Sequence, residues 1–172
     1  SSDKVYITLV GHGGHGAVPH KTADPVVAAA SLVMALQTVV SRNVDPLQTA
    51  VVTVGVLQSG RANNVIPDSA YLELSVRALD SEVRSLLQQR ITEIAHAQAQ
   101  SFGVKAEIDY RRGYAALVNS KDETDFARQI GTELVGAERV VPQAPPLTGS
   151  EDFAFMLEKC PGSYLLIGNG DG

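Results

Sequence analysis

One pattern limits the fold of this chain more than any other, namely the order in which strand-like and helix-like segments follow one another up to Gly113. Val5, Ile7 and Leu9 alternate with polar residues, as the period of two in a half-buried strand requires. Asp24 followed by proline supplies an N-cap and a first-turn residue for a long apolar helix. The pattern therefore predicts a strand, then a helix.

The same analysis predicts a second strand over residues 52–56 and a third over residues 71–79. A second helix over residues 81–102 follows, and then a fourth strand over residues 104–110. The order strand, helix, strand, strand, helix, strand is that of the split βαβ, or ferredoxin-like, fold. We therefore predict an α+β fold, in which a four-stranded antiparallel sheet carries two helices on one face.

The chain changes character after Gly113. Capping-box spacings at residues 120–123 and 148–151 predict two helices, and residues 140–141 and 163–167 are expected to form short strands. Two helices and two short strands bury too little apolar surface to form an independent core. We therefore expect residues 1–113 to form one domain and residues 114–172 to be an incomplete α/β segment.

Composition excludes some functions. The 172 residues carry a formal net charge of −5 without a basic run, which argues against nucleic-acid binding. A single cysteine permits no internal disulfide, as is usual in the cytoplasm. The longest apolar stretch, residues 26–40, is interrupted by polar side chains, so no membrane span is expected. The chain is expected to be cytoplasmic.

The candidate functional loop is GHGGHGAVPH, residues 11–20, which lies between the first strand and the first helix and holds three of the four histidines. Glycine lets the backbone approach other atoms closely and permits positive φ. Imidazole can donate, accept or take up a proton near neutral pH. The loop is therefore better suited to a function than to serving as a flexible connector.

Gly11, Gly13 and Gly16 form the G-x-G-x-x-G pattern of dinucleotide-binding proteins. In those proteins the third glycine lies at the start of a helix, whose N-terminus meets the pyrophosphate. Here the predicted helix cannot begin before about Asp24. The nucleotide interpretation is therefore disfavoured.

Three interpretations of the histidines remain open. His12, His15 and His20 could bind a metal ion, but no predicted helix fixes them in ligand geometry. Alternatively, one histidine donates a hydrogen bond to an oxygen that gains negative charge during a reaction, which needs no metal in this domain. A catalytic triad of Ser150, His15 and Asp152 is a third possibility, although no nucleophile elbow surrounds the serine.

Other candidate residues lie outside the loop. Asn64 precedes an apolar pair and a proline, where a turn would also explain it. Arg77 lies near the end of the third strand on its polar face, and an arginine there is either solvated or suited to bidentate binding of a carboxylate. Gly149 and Ser150 lie at a predicted helix start, where free N–H groups favour an anion or ordinary capping.

Five motifs together are similar to one family. Residues 11–25, 62–68, 75–77, 110–114 and 149–153 resemble the metal-dependent amidohydrolases of the aminoacylase and carboxypeptidase G type. The resemblance covers essentially the whole chain and favours the branch of hippurate hydrolases and N-acyl-amino-acid amidohydrolases. In that family a two-metal catalytic domain is interrupted by a lid domain that also forms the dimer.

The resemblance implies that residues 1–113 are the lid and that residues 114–172 are a returning part of the catalytic domain. It implies that His15 reaches across a homodimer to stabilise an oxyanion, and that Asn64 and Arg77 bind the substrate. It further implies that Gly149 and Ser150 line the substrate pocket.

In this family a pair of divalent metal ions (zinc, manganese, cobalt or nickel) is held by residues that lie outside this chain. By itself the chain is therefore expected to bind no catalytic metal and to hydrolyse nothing. The implied function of the whole protein is hydrolysis of N-acyl amino acids or small peptides, without nucleic-acid or membrane partners. The alternative is a non-catalytic dimerisation or small-ligand-binding module of the same fold.

Overall fold

The structure is a computed structural model that describes residues 1–170. The chain divides into two compact units, of which the first is Ser1–Gly113 and the second begins at Tyr114.

The first unit contains a four-stranded antiparallel sheet and two long helices. Its elements are β1 (Ser2–Val10), β2 (Gly14–His15), a 3₁₀ turn (Pro19–Lys21), α1 (Pro25–Asn43), β3 (Ala50–Ser59), β4 (Val65–Ile66), β5 (Ser69–Ala78), α2 (Ser81–Ser101) and β6 (Lys105–Tyr114). The strand order in the main sheet is β3-β5-β1-β6, while β2 and β4 form a separate two-stranded ribbon. This topology confirms the predicted ferredoxin-like order.

The core lies between the two helices and one face of the main sheet. Val5, Ile7 and Leu9 of β1 are fully buried, as their alternation predicts. They belong to one cluster with Leu32 of α1 and Leu87 of α2, so both helices cover the same face. The opposite face of the sheet carries no helix of this unit.

The predicted helix caps are present. The Asp24 carboxylate accepts hydrogen bonds from the N–H groups of the first turn of α1, the shortest at 2.8 Å. The Asp80 carboxylate does the same for α2, with a shortest distance of 2.7 Å. Gly103 follows α2 with a φ of +68°, a conformation that favours glycine. Helix boundaries in this unit therefore follow local sequence signals.

A buried carboxylate ties β1, α2 and β6 together. Asp3 is 1% exposed, and its two oxygens accept hydrogen bonds from Arg84 Nε at 3.0 Å and Nη2 at 2.5 Å. The Tyr110 hydroxyl and the Gly113 N–H each donate to the same carboxylate at 3.0 Å. Burial alone would raise the pKa of Asp3, but these hydrogen bonds and the guanidinium charge hold it below its ordinary value.

Helix α1 bears on the expectation that the chain has no membrane span. Within residues 1–170 it is the one helix long and apolar enough, by length and composition alone, to cross a membrane, with a mean hydropathy of 1.4. Ala28, Leu32, Leu36 and Val39 of this helix are buried in the domain core. A core helix passes the same length and composition test, and these contacts identify α1 as one.

The second unit contains the helices α3 (Lys121–Val135) and α4 (Phe153–Leu157) and a 3₁₀ turn (Ala137–Arg139). The strands expected at residues 140–141 and 163–167 are absent from its described part, so that expectation was wrong. A strand needs a neighbour to accept its backbone hydrogen bonds. Residues 165–167 are apolar but exposed, and no neighbouring strand covers them.

Neither predicted capping box caps a helix. Ser120 is the N-cap of α3, but its hydroxyl accepts a hydrogen bond from Gly162 N–H at 3.1 Å instead of capping the helix. Helix α4 begins at Phe153 with Asp152 as its N-cap, so Thr148 lies too early to cap it. Long-range pairing of residues 119–120 with residues 162–164 replaces the local motif at α3.

Candidate functional site

The glycine-rich loop is anchored as one side of the small ribbon. Strand β2 pairs with β4, so that Gly14 lies opposite Ile66 and His15 lies opposite Val65. The next N–H, that of Gly16, donates to the Asn64 carbonyl at 2.8 Å. The ribbon therefore brings two predicted site residues, His15 and Asn64, to adjacent positions at one end of the domain.

The loop glycines are required by close packing. A Cβ on Gly13 would lie 2.4 Å from the Ile66 carbonyl oxygen, and one on Gly11 would lie 2.2 Å from the Ala23 carbonyl oxygen. None of the loop glycines has a positive φ. The sequence argument from positive φ does not apply here, whereas the argument from close backbone approach does.

The backbone N–H groups of the loop already have partners. Gly11 donates to the Asp68 carbonyl at 2.8 Å, and Gly13 donates to the Asp68 carboxylate at 2.9 Å. They therefore cannot form a cradle for phosphate oxygens. Helix α1 also begins only at Pro25, well after Gly16, so the loop lacks the helix N-terminus of a dinucleotide site.

The hydrogen bonding of His15 determines which ring nitrogen carries its proton. Its side chain is exposed, and Nδ1 accepts a hydrogen bond from the Ala17 N–H at 3.1 Å. A backbone N–H can only donate, so Nδ1 must be unprotonated in this arrangement. In the neutral ring the proton then lies on Nε2, which makes Nε2–H a donor available to a ligand.

The other loop histidines do not join His15 in a metal site. His12 and His20 are exposed, and the backbone of His12 pairs with that of Ala23. Within residues 1–170 no three His, Cys, Asp or Glu side chains come together to hold a metal ion. The residues described here therefore do not fit a catalytic metal centre.

Arg77 lies at the other end of the domain from His15. It is near the last residue of β5, opposite Val51 of β3, whereas Ser69 at the start of β5 adjoins the ribbon end. Eight residue steps of about 3.3 Å along β5 separate Ser69 from Arg77 by roughly 26 Å. A single copy of the first unit therefore cannot present His15 and Arg77 to the same small molecule.

Gly149 and Ser150 belong to the second unit. They lie in a segment without regular structure just before α4, and a Cβ on Gly149 would meet no atom within 4 Å. Ser150 is half-buried. Helix α4 has only five residues, so its N-terminus is too weak a dipole end to attract an anion strongly.

The two edges of the main sheet differ in a way that the sequence analysis missed. The edge strand β6 carries the ion pairs Lys105–Glu107 and Arg111–Asp109. The other edge strand, β3, has no charged residue, and the sequence has none between Asp45 and Arg61. Charged edges discourage strand pairing, and a long uncharged edge permits it. This absence of charge was visible in the sequence.

Helix α1 extends the same uncharged surface. It packs over β3 and β5 and has no charged residue before Arg42. Val27 and Met34, seven residues apart on one face, are 51% and 71% exposed. We use the name uncharged edge for the free edge of β3 together with the exposed residues of α1, neither of which carries a charge before Arg42.

A split βαβ sheet with one long uncharged edge strand can pair with a further strand along that edge. The family model described as the peptidase dimerisation domain of the M20 family matches residues 2–102. The chain belongs to the M20 peptidase family.

Its curated relatives are hydrolases. The hippurate hydrolase of Campylobacter jejuni is 41% identical over 167 residues, which cover 96% of this chain and 44% of the relative. The N-acetyl-L-cysteine deacetylase of Bacillus subtilis is 39% identical over 170 residues, which cover 98% of this chain and 40% of the relative. The chain thus spans less than half the length of these relatives.

A solved structure of a Bacillus subtilis protein, described as a dinuclear metal-binding peptidase of the M20 family, has the same fold. Its TM-score is 0.73 at 28% sequence identity, and the match covers 95% of this chain and 39% of that chain.

Proposed function

We propose that residues 1–113 are the lid and dimerisation domain, and residues 114–172 a returning part of the catalytic domain, of a homodimeric cytoplasmic M20 amidohydrolase. The proposed reaction is hydrolysis of the amide bond of an N-acyl amino acid. Hippurate and N-acetyl-L-cysteine, the compounds named in the two relatives, are both amino acids acylated on nitrogen. This shared chemistry supports the substrate class.

The observation that carries the proposal is the exposed imidazole of His15, whose Nδ1 accepts the Ala17 N–H and so leaves Nε2–H as a donor in the neutral ring. When a nucleophile adds to an amide carbonyl carbon, the carbonyl oxygen gains negative charge, and a donor held in place before the reaction stabilises it. The Ala17 N–H holds the ring through Nδ1, and the ribbon pairing with Val65 holds the backbone. The donor is therefore oriented before substrate arrives.

We infer that two lids pair through the uncharged edge. A two-fold axis perpendicular to the sheet would align β3 antiparallel to its copy and would place both α1 helices on the same face. The pairing would satisfy the free backbone groups of β3 and cover exposed Val27 and Met34. The charged edge at β6 would remain in solvent.

This pairing has a consequence for the site. In an antiparallel pair, the end of one lid that carries His15 and Asn64 lies beside the end of the other lid that carries Arg77. Three strand spacings separate β5 from the partner's copy of β5, or about 14 Å, against roughly 26 Å along a single β5. Each site would then use Arg77 from one subunit together with His15 of the partner subunit and Asn64 of the partner subunit.

The roles of these residues follow from their chemistry. Arg77 is suited to bidentate binding of the free carboxylate of an N-acyl amino acid, and Asn64 to hydrogen bonding with its polar groups. Gly149 and Ser150 would line the pocket from the catalytic domain. We further infer that a pair of divalent metal ions, of zinc, manganese, cobalt or nickel, is held by residues outside this chain.

The test uses the full-length gene product and a set of N-acyl amino acids. His15→Ala should lower kcat by about a hundredfold or more with the dimer intact, because one preorganised oxyanion donor is lost. His12→Ala, a change at another exposed histidine whose backbone is paired elsewhere, should leave kcat within about twofold. Unchanged turnover of His15→Ala would refute the role of this histidine.

A mixed dimer tests the shared site. One chain carries His15→Ala and the other Arg77→Ala, and each homodimer should be nearly inactive. The heterodimer should recover about half of the wild-type activity, because one of its two sites receives an intact residue from each chain. A heterodimer no more active than the two homodimers would refute the shared site. Absence of any hydrolysis by the wild-type dimer would support the alternative, a non-catalytic module.

A further inference from the structure

Asp68 joins the glycine loop to the main sheet. It lies between β4, which ends at Ile66, and β5, which begins at Ser69. Its backbone carbonyl accepts the Gly11 N–H at 2.8 Å, and its carboxylate oxygen Oδ1 accepts the Gly13 N–H at 2.9 Å. One residue therefore holds two N–H groups of the loop, and only the second of these hydrogen bonds depends on the side chain.

The neighbours of Asp68 give its backbone a fixed place. Ser69 pairs with Val10 of β1, and the next residue, Ala70, is buried in the core. On the other side, the ring of Pro67 restricts the backbone that leads out of the ribbon. The carboxylate of Asp68 is exposed, but it projects from a backbone that belongs to the rigid sheet. The side chain can therefore transmit the position of the sheet to the loop.

The hydrogen bond from Gly13 is made two residues before His15. The residue before Gly13 pairs with the segment just before α1, and the residue after it pairs with β4. The Asp68 carboxylate holds the residue between these two pairings, where the loop passes from one segment to the other. Without this hydrogen bond the loop is free to shift at that point, and the ring of His15 becomes less well oriented.

We propose that Asp68 is a positioning residue for the His15 donor, and that it acts as a hydrogen-bond acceptor. This inference rests on the proposed function of His15. A donor must be held within about 0.5 Å of its productive position, and hydrogen bonds behind it supply that restraint. Without the Asp68 carboxylate the Nε2–H donor is still present but is held less firmly. The rate of the chemical step then falls, while substrate binding is kept.

The first test compares two substitutions of Asp68 in the full-length enzyme, with an N-acyl amino acid as substrate. Asp68→Ala removes the acceptor and should lower kcat about fivefold to thirtyfold, with KM changed by less than about twofold. Asp68→Asn keeps an oxygen atom that can accept the Gly13 N–H, and kcat should stay within about twofold of the wild type. A wild-type kcat in Asp68→Ala, or an equally low kcat in both variants, would overturn the proposal.

Asp45 provides the matched control. It is also exposed, and its Oδ1 also accepts a backbone N–H, that of Leu47, at 2.9 Å. It lies in the turn between α1 and β3, outside the glycine loop and the ribbon. Asp45→Ala should lower the urea midpoint about as much as Asp68→Ala does, but should leave kcat within about twofold. If both variants lower kcat equally, the effect is general destabilisation, and the positioning role is refuted.

A double variant shows whether Asp68 acts through His15. Once His15→Ala has removed the imidazole, Asp68→Ala should cost nothing more, and kcat of the double variant should match that of His15→Ala within about twofold. A residue that only stabilises the fold would lower kcat further in either background. If the two losses multiply, Asp68 affects the reaction by another route, and the proposal is overturned.

A spectroscopic measurement gives a readout that does not depend on hydrolysis. In the ¹⁵N-histidine-labelled enzyme, the His15 Nδ1 resonance is assigned by its loss in His15→Ala. It should report an unprotonated Nδ1 in the wild type and in Asp68→Asn, and an average of two tautomers in Asp68→Ala. The same resonance in all three proteins would refute the positioning role.

The outcomes separate this inference from the proposed function. If the enzyme hydrolyses N-acyl amino acids but Asp68→Ala changes neither kcat nor the His15 resonance, the role of Asp68 is refuted and the proposed function stands. If the wild-type enzyme hydrolyses no N-acyl amino acid, the proposed function fails, and the resonance still decides whether Asp68 holds the ring.

Discussion

Replacing Asp3 by asparagine should destabilise the first unit strongly. The carboxylate is buried and accepts four hydrogen bonds, two of them from Arg84, whose own side chain is 14% exposed. Asparagine keeps the shape but removes the charge, which leaves a largely buried guanidinium without its counter-ion. Breaking a buried ion pair in this way costs about 3–5 kcal/mol of unfolding free energy.

The exposed pair Arg111–Asp109 provides the matched control. Its side chains are 65% and 53% exposed, so solvent screens the charges. Asp109→Asn should therefore cost about 0–1 kcal/mol. Urea denaturation of both variants and of the wild-type chain, followed by circular dichroism, gives the free energies. Equal losses in the two variants would refute the argument that burial makes the Asp3 pair costly to break.

The same measurement against pH tests the direction of the Asp3 pKa shift. The pKa of Asp3 in the folded chain lies below its ordinary value, so its contribution is fully present above the ordinary value of about 3.9. It is lost as the pH falls through the lowered pKa. The difference in unfolding free energy between the wild type and Asp3→Asn should be constant near neutral pH and shrink below about pH 4. A difference that widens in acid would show the opposite shift.

The uncharged edge and the glycine loop each give a further prediction. Met34→Lys should convert the dimer of the full-length protein to a monomer, as measured by sedimentation velocity. Ala97→Lys, on the exposed face of α2, should leave the protein dimeric. A Met34→Lys protein that stays dimeric would argue against pairing through α1. Gly13→Ala should lower the unfolding free energy by about 1–3 kcal/mol because the new Cβ overlaps the Ile66 carbonyl. Gly168→Ala, where a Cβ meets nothing within 4 Å, should change it by less than about 0.5 kcal/mol in the same denaturation assay.

The first unit was predictable because its signals are local and agree with one another. Alternation in β1 identified the buried Val5, Ile7 and Leu9, and the carboxylates of Asp24 and Asp80 marked the helix starts. Element order then limited the topology to very few arrangements. The two-residue strands of the ribbon were not predictable, since so short a pairing has no periodicity and depends on contacts between distant parts of the chain.

The second unit shows where local signals fail. The Ser120 hydroxyl had the spacing of a capping box, yet a partner 42 positions away, Gly162, takes its hydrogen bond. Residues 163–167 are apolar enough for a strand, but apolar composition cannot supply the neighbouring strand that a sheet requires. Local signals also could not give the distances between site residues. The sequence suggested His15, Asn64 and Arg77, but only the register of β5 with β3 showed that Arg77 lies far from the other two.

The crowding around Gly11 and Gly13 has a consequence for how this family can vary. The loop that carries His15 is positioned by main-chain atoms of the facing segments, the Ala23 and Ile66 carbonyls among them, and by one side chain, the Asp68 carboxylate, which accepts the Gly13 N–H. Substituting Ala23 or Ile66 by another residue would therefore disturb the imidazole less than substituting Asp68 would. A single added carbon on the loop itself would push the two segments apart and shift the donor away from its target.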